Sequence, residues 1–234
     1  MIDFHVHLLP GMDDGSRNKR MSMAMLKESK RQGIEISVAT PHFYFDSPAE
    51  KVIKKRERAY KELLKHYEKK GEDMPDIRLG FEVYLSDKIY DEEDIDRLCI
   101  SKTATLLVEM PYKKWTDRIF DRLKFLVDKG YDIVIAHPER YIETADQKDY
   151  DKLFSFGVTG QVNAASFVSP ITRDFAYKLI REGKIGLMGS DAHNTGRRAN
   201  FTAIANEFIS RNVGEQYIDM FNDNAERLLG IREI

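Results

Sequence analysis

Met1-Ile2-Asp3-Phe4-His5-Val6-His7 opens the chain, with Ile2, Phe4 and Val6 alternating against Asp3, His5 and His7. Period two is the strand period, so residues two apart share a face. His5 and His7 therefore stand side by side, opposite the three apolar residues. Such a pair is half of a metal site, because neutral imidazole nitrogen is the commonest protein donor to first-row metals. Two satisfied core histidines would give the same pattern. The remaining histidines separate the readings. His42 lies in Ala39-Thr40-Pro41-His42, His137 in Ala136-His137-Pro138-Glu139-Arg140, and His193 in Gly189-Ser190-Asp191-Ala192-His193. Each follows a short apolar run. Only His66 lies in a charged helical stretch, and it reads as surface.

Working outward, seven strand-like runs occur at 2–6, 34–39, 77–83, 104–109, 131–136, 157–162 and 185–189. Helical patterns separate most of them, at 17–32, 48–70, 115–129, 171–182 and 197–212, with a short last helix at 222–229. The 48–70 segment carries a start signal, with Ser47 as N-cap, Pro48 at the first helical position and Glu50 at the third; Gly71 ends it. Alternating strands and helices indicate an α/β fold with parallel strands. An open doubly wound sheet and a closed barrel both fit. The polar residues decide: His7, His42, Glu82, Glu109, His137, Asn163, Asp191 and His193 all fall near the C-terminal ends of predicted strands. An open sheet spreads its strand ends along a line, whereas a barrel gathers them into a ring. The expectation is a distorted seven-stranded (β/α)7 barrel formed by one domain spanning residues 1–234.

Composition narrows the function classes. No apolar run approaches the ~20 residues needed to cross a bilayer, and the N-terminus reads as a strand rather than a signal peptide. A single cysteine, Cys99, excludes an internal disulfide. These features point to a cytoplasmic protein. A net charge of −2 gives no global basic field for nucleic acid. The cluster Lys51–Arg58 is interspersed with acids and reads as a solvated helix face.

Six constellations carry the chemistry. The histidine pair leads into Pro10-Gly11-Met12-Asp13-Asp14-Gly15-Ser16, a loop in which Asp14 is a hard oxygen donor, though both acids could be turn residues. His42 tops an apolar strand and is followed by Phe43-Tyr44-Phe45, rings that can flank a substrate or pack the loop. Glu82 and Glu109 sit in strands so apolar that an unpaired carboxylate would be costly, so each needs a cation. His137 is followed by Arg140, a rigid charged fork suited to phosphate oxygens or to a salt bridge with Glu139 or another loop acid. Asp191 and His193 precede Arg197 and Arg198. Each piece alone is weak; six at successive strand ends share one explanation. Cysteine-based phosphate chemistry is unsupported, because the position six residues after Cys99 is Thr105 rather than an arginine.

These stretches, with the closing Asn224-Ala225-Glu226-Arg227-Leu228-Leu229, resemble the PHP (polymerase and histidinol phosphatase) superfamily over nearly the whole chain. More narrowly, the Asp13-Asp14-Gly15 loop and Glu109 resemble the CpsB/YwqE type, the manganese-dependent protein-tyrosine phosphatases of bacterial capsule and exopolysaccharide loci. The resemblance implies three divalent metals, with manganese first and iron or zinc as alternatives. It assigns the first to His5, His7, Glu82 and Asp191, the second to Glu82, Glu109 and His137, and the third to Asp14, His42 and His193. Arg140 and Arg198 match its phosphate-binding arginines, with Arg197 one residue away from the latter. No dedicated general acid stands out; Asp14 and His42 are candidates that also read as ligands. The implied substrate and partner is a phosphotyrosine-bearing bacterial tyrosine kinase. The rival readings are a histidinol-phosphate phosphatase or phosphodiesterase of the same superfamily, and a non-catalytic metal-dependent scaffold for the phosphorylated kinase.

Overall fold

The structure is a computed structural model that describes residues 1–68 and 73–231. Its strands are β1 (Ile2–Val6), β2 (Ile36–Ala39), β3 (His42–Phe43), β4 (Asp76–Leu79), β5 (Glu82–Tyr84), β6 (Thr105–Glu109), β7 (Asp132–Ala136), β8 (Thr159–Asn163) and β9 (Ile185–Gly189). Its helices are α1 (Lys19–Arg31), α2 (Ala49–Glu68), α3 (Ile95–Leu98), α4 (Asp117–Asp128), α5 (Gln147–Ser155), α6 (Pro170–Arg181), α7 (Thr202–Asn212) and α8 (Gln216–Leu228). The α/β class and the parallel pairing expected from sequence are present throughout.

The single closed seven-stranded ladder is not. The strands form two sheets, β1-β2-β4 and β3-β5-β6-β7-β8-β9. The break has a local cause. Pro41 has no N–H to give a ladder, and it separates β2 from β3. The partner chain segment bends at Gly80, where a Cβ would come within 2.7 Å of Ile100 Cγ1. Two hydrogen bonds carry the pairing across the bend, Gly80 N to Ala39 O at 2.9 Å and Glu82 N to Pro41 O at 3.1 Å. Between β1 and β9 the ladder among the described residues is a single parallel bridge at the top, between Val6 and Ala192. There Asp191 N donates to His5 O at 2.8 Å and His7 N to Ala192 O at 3.0 Å. Lower down, α8 lies against this seam: Ile2 N donates to Asn222 Oδ1, and Asn224 Nδ2 to Gly186 O, both at 3.0 Å.

Phe4, Val38, Leu107, Val134 and Leu187 come from five strands and meet Ala225 and Leu228 of α8, and Leu229 just after it, in one buried cluster. A larger cluster packs the six-stranded sheet against α4, α5, α6 and α7. These apolar layers hold the strand tops in place, and the polar residues collect above them. The start of α2 differs from expectation. Its first bonds run from Lys51 N and Val52 N to Pro48 O, so Pro48 caps the helix and Ala49 opens it. The expected stop at Gly71 lies outside the described residues. Helix α5 is an addition, begun by a capping box in which Asp146 and Asp149 satisfy one another's backbone N–H groups at 3.1 Å.

Candidate metal centre

β1 delivers His5 and His7 fully buried, with their Nε2 atoms 3.0 Å apart. Their other nitrogens explain this approach. His5 Nδ1 meets Gln161 Oε1 at 2.8 Å, and His7 Nδ1 meets Asp13 Oδ2 at 2.7 Å. The Gln161 amide is fixed the right way round, because its Nε2 donates to Val162 O and Asn163 Oδ1. Both ring partners are therefore acceptors, so each Nδ1 holds a proton and Nε2 is the nitrogen each ring turns toward the cluster. Glu82 Oε2 lies 3.4 Å from both Nε2 atoms, and Asp191 Oδ1 3.7 and 3.4 Å from them.

The other strand ends extend the cluster. Glu82 Oε1 lies 2.8 Å from His137 Nε2, and Glu82 Oε2 2.8 Å from His42 Nδ1. Asp14 Oδ1 stands 3.2 Å from His193 Nε2 and 3.5 Å from His42 Nε2. Ligand atoms of His7, Asp14, His42 and His193 fall within 4.8 Å of one another, as do those of His5, Glu82 and His137, of His5, His7 and Asp191, and of His42, Glu82 and Glu109. All nine sequence candidates are thus brought to one place. Glu82 Oε2, His42 Nδ1 and His193 Nε2 are buried without hydrogen-bond partners. Buried polar atoms are normally satisfied, so lone pairs converging without donors fit divalent cations. Mixed imidazole and carboxylate donors suit manganese, iron or zinc.

The electrostatics agree. Burial alone would raise Glu82, but the rings of His5, His137 and His42 around it hold its carboxyl well below the usual range, and the facing carboxylates in turn raise His5 and His7. Asp191 is held low in the same way, by His5 and His7 against burial. Burial and the neighbouring Glu82 push Glu109 up to about 7. Burial lowers His137, and burial with the nearby His7 lowers His193 to about 4, so both rings are neutral donors at physiological pH.

Two arginines face the cluster. Arg140 Nη1 donates to Asp191 Oδ2 at 3.3 Å. Arg198 donates from Nη1 to Asp14 Oδ2 at 3.0 Å and from Nη2 to Asp191 Oδ1 at 3.3 Å. Arg197 is exposed and makes no ion pair among the described residues, so the guanidinium at the site belongs to Arg198.

The family model for capsular polysaccharide synthesis, CpsB/CapC, matches residues 1–230. The chain belongs to the CpsB/CapC family. Among CpsB/CapC relatives, the tyrosine-protein phosphatase YwqE of Bacillus subtilis is 31% identical, over 98% of this chain and 91% of its own length. The tyrosine-protein phosphatase CpsB of Streptococcus agalactiae serotype III is 27% identical over 98% of both chains. A crystal structure from work on YwqE of Bacillus subtilis and CpsB of Streptococcus pneumoniae, described as unique metal-dependent tyrosine phosphatases, superposes with a TM-score of 0.85. That match has 28% identity and covers 100% of this chain and 96% of the other.

This CpsB/CapC chain also carries supporting residues that sequence reasoning passed over. Asp13 looked like a turn residue, but it orients His7, accepts from His42 N at 3.0 Å and from Gly15 N at 3.0 Å. Gly15 lets the loop fold back; a Cβ there would lie 2.4 Å from His7 O. Asp3 accepts from Ser190 N at 2.7 Å, tying the base of the site across the β1–β9 seam. Glu139, weighed as a partner for Arg140, instead accepts from Asn163 N at 2.9 Å and Ser166 Oγ at 2.6 Å. Of the three aromatics after His42, Phe43 and Phe45 are buried in the core, and Tyr44 alone stays at the mouth, its ring 5.0 Å from that of His42. Cys99 is buried in the α3–β6 connection, at the opposite end of β6 from Glu109, and burial pushes its thiol up to about 12.

Proposed function

We propose that this chain is a metal-dependent protein-tyrosine phosphatase, a single domain that removes phosphate from a bacterial tyrosine kinase controlling capsule or exopolysaccharide synthesis in the cytoplasm. The two sheets act as one distorted barrel of seven runs, in which β2 with β3 and β4 with β5 each count as one bent strand. The observation that carries the reading is the inward pair of His5 and His7 Nε2 atoms, aimed by Gln161 and Asp13 at Glu82 Oε2.

Three divalent metals, manganese first, would be held by His5, His7, Glu82 and Asp191; by Glu82, Glu109 and His137; and by Asp14, His42 and His193. When bound, they would supply a nucleophile at neutral pH by lowering the pKa of water towards ~7, and would neutralise phosphate oxygens. The chain's own part is to bind and orient. Arg140 and Arg198 donate to the non-bridging oxygens, exchanging the carboxylates of Asp191 and Asp14 that they contact here for the phosphate. The leaving phenolate has a pKa of ~10 and needs less protonation than an alkoxide. Asp14 and His42 line the cavity beside the centre and would be the chain's candidates for returning a proton to it, Asp14 only once it has itself taken one up.

The test is steady-state hydrolysis by the purified protein with manganese and with chelator. The panel holds a phosphotyrosine peptide, histidinol phosphate and bis-p-nitrophenyl phosphate. Manganese-dependent turnover dominated by the phosphopeptide is expected. Preference for histidinol phosphate or the diester would overturn the substrate while keeping the centre. No turnover despite bound metal would make the chain a scaffold for the phosphorylated kinase.

A further inference from the structure

Helix α2 opens with Ala49-Glu50-Lys51-Val52-Ile53-Lys54-Lys55-Arg56-Glu57-Arg58, a mixed-charge run that reads as self-neutralised. The structure separates those charges. Lys51, Lys54, Lys55 and Arg58 stand at i, i+3, i+4 and i+7, which is one helix face. Glu50 is engaged by Lys54 at 2.7 Å and by Arg97. Glu57 lies away from this face, in a groove shared with Arg56 and Arg78. Among the described residues, Lys51 and Arg58 have no carboxylate within ion-pair distance, and Lys55 donates only to Met12 O at 3.0 Å.

That face is one wall of a cavity of about 990 Å³ whose inner end is formed by Asp13, Asp14 and His42. Pro48 and Val52 supply its apolar floor, and Tyr44 stands where the cavity meets the metal centre. Asp46 and Glu50 also line it, so its acids equal its four lysines and arginines in number, but Asp13 and Asp14 are engaged by His7 and Arg198 at the inner end. A substrate bound with its phosphate at the centre must leave through this cavity or beside it.

Resting on the function proposed above, we infer that the Lys51–Arg58 face of α2 is a specificity surface that selects acidic residues flanking the phosphotyrosine. The face spans seven residues, or ~10 Å at a rise of ~1.5 Å per residue. An extended peptide covers that length in about three residues, and its same-side side chains repeat every ~6.7 Å. Successive helical turns repeat every ~5.4 Å, a near match. The preferred substrate therefore carries aspartate or glutamate at alternating positions on one side of the phosphotyrosine. Each solvated pair is weak, so several together give about a tenfold preference that salt erases.

The experiment measures kcat/KM for phosphotyrosine peptides bearing aspartate, alanine or lysine at alternate positions before or after the phosphotyrosine, with p-nitrophenyl phosphate as a probe of the chemistry. Assays run at about 50 mM and about 500 mM salt, where screening lengths differ severalfold. The expected result is about a tenfold advantage of the aspartate over the alanine peptide at low salt, falling to about twofold at high salt. In K51E/K55E/R58E, the ratio of aspartate-peptide to p-nitrophenyl phosphate kcat/KM drops about tenfold and the lysine peptide becomes the better substrate; K51Q/K55Q/R58Q loses the preference without inverting it. Equal use of aspartate and alanine peptides, or an unchanged preference in both variants, overturns the inference and leaves the phosphatase reading intact. Failure to hydrolyse any phosphotyrosine peptide while p-nitrophenyl phosphate turns over overturns the protein-phosphatase reading, and the inference with it.

Discussion

His5, Glu82 and His137 are 0–2% exposed, whereas Asp14 is 60%, Arg140 45% and Arg198 40% exposed. The floor and the rim of the same centre are thus built by different rules. On the floor, water cannot turn a ring or complete a hydrogen bond, so His5 and His7 are aimed by dedicated protein acceptors, Gln161 and Asp13. At the rim, guanidinium and carboxylate groups hold one another in solvent and can exchange partners when an anion arrives. Rigidity is concentrated where the proposed cations sit, and adaptability where the substrate enters.

Substitutions on the floor should have the largest effect. Glu82→Gln and His137→Ala are expected to lower kcat by about a thousandfold or more and to reduce bound metal, measured by steady-state kinetics and elemental analysis. Near-wild-type turnover in purified His137→Ala would remove that residue from the centre. One step out, Gln161→Leu and Asp13→Asn should weaken metal affinity by about 10–100-fold, since they leave the ligands in place but free their rings. Manganese titration of activity tests this, and excess metal should restore much of the rate. At the rim, Arg140→Ala and Arg198→Ala should mainly raise KM, by about five- to twentyfold, each removing charge-assisted hydrogen bonds to phosphate. Unchanged KM and kcat in either variant would leave that arginine outside the site. The smallest effect belongs to Cys99. With its thiol near 12, four units above pH 8, only ~10⁻⁴ is thiolate at that pH, so iodoacetamide should leave activity unchanged. Rapid inactivation by the reagent would contradict the assignment of the chemistry to the strand tops.

Much of this is legible in the sequence. The two-residue period of His5 and His7 places them on one face, and β9 falls at 185–189 as read. Other features escaped for identifiable reasons. Gln161 and Asn163 carry the same two-residue signal as the histidine pair, but amides do not announce a metal site, so the residue that aims His5 went unremarked. Asp13 and Asp14 are neighbours, and sequence alone does not say which side chain turns to a ring and which to the mouth. The ladder break required knowing that Pro41 sits opposite the bend at Gly80, a relation between strands rather than within one. Helix α5 was missed because its capping pair is aspartate with aspartate. The charges of α2 looked balanced along the chain and separate only once the helix is seen against the loop carrying Met12.

The incomplete β1–β9 pairing has a consequence for the life of the molecule. His5 and His7 stand on the three-stranded sheet, while His42, Glu82 and Glu109 stand on the six-stranded one, and Asp191 and His193 follow β9 across the seam. Metals bound as proposed would cross-link edges that, among the described residues, are otherwise joined by one bridge, a few hydrogen bonds such as Ser190 N to Asp3, and the cover of α8. Ligand at a hundredfold excess over its dissociation constant stabilises the binding-competent state by ~2.7 kcal/mol. Metal starvation would therefore shorten the protein's survival as well as silence it. The amides of β1 would exchange with solvent sooner, proteases would find this edge first, and the cell's metal supply would set the amount of protein together with its activity.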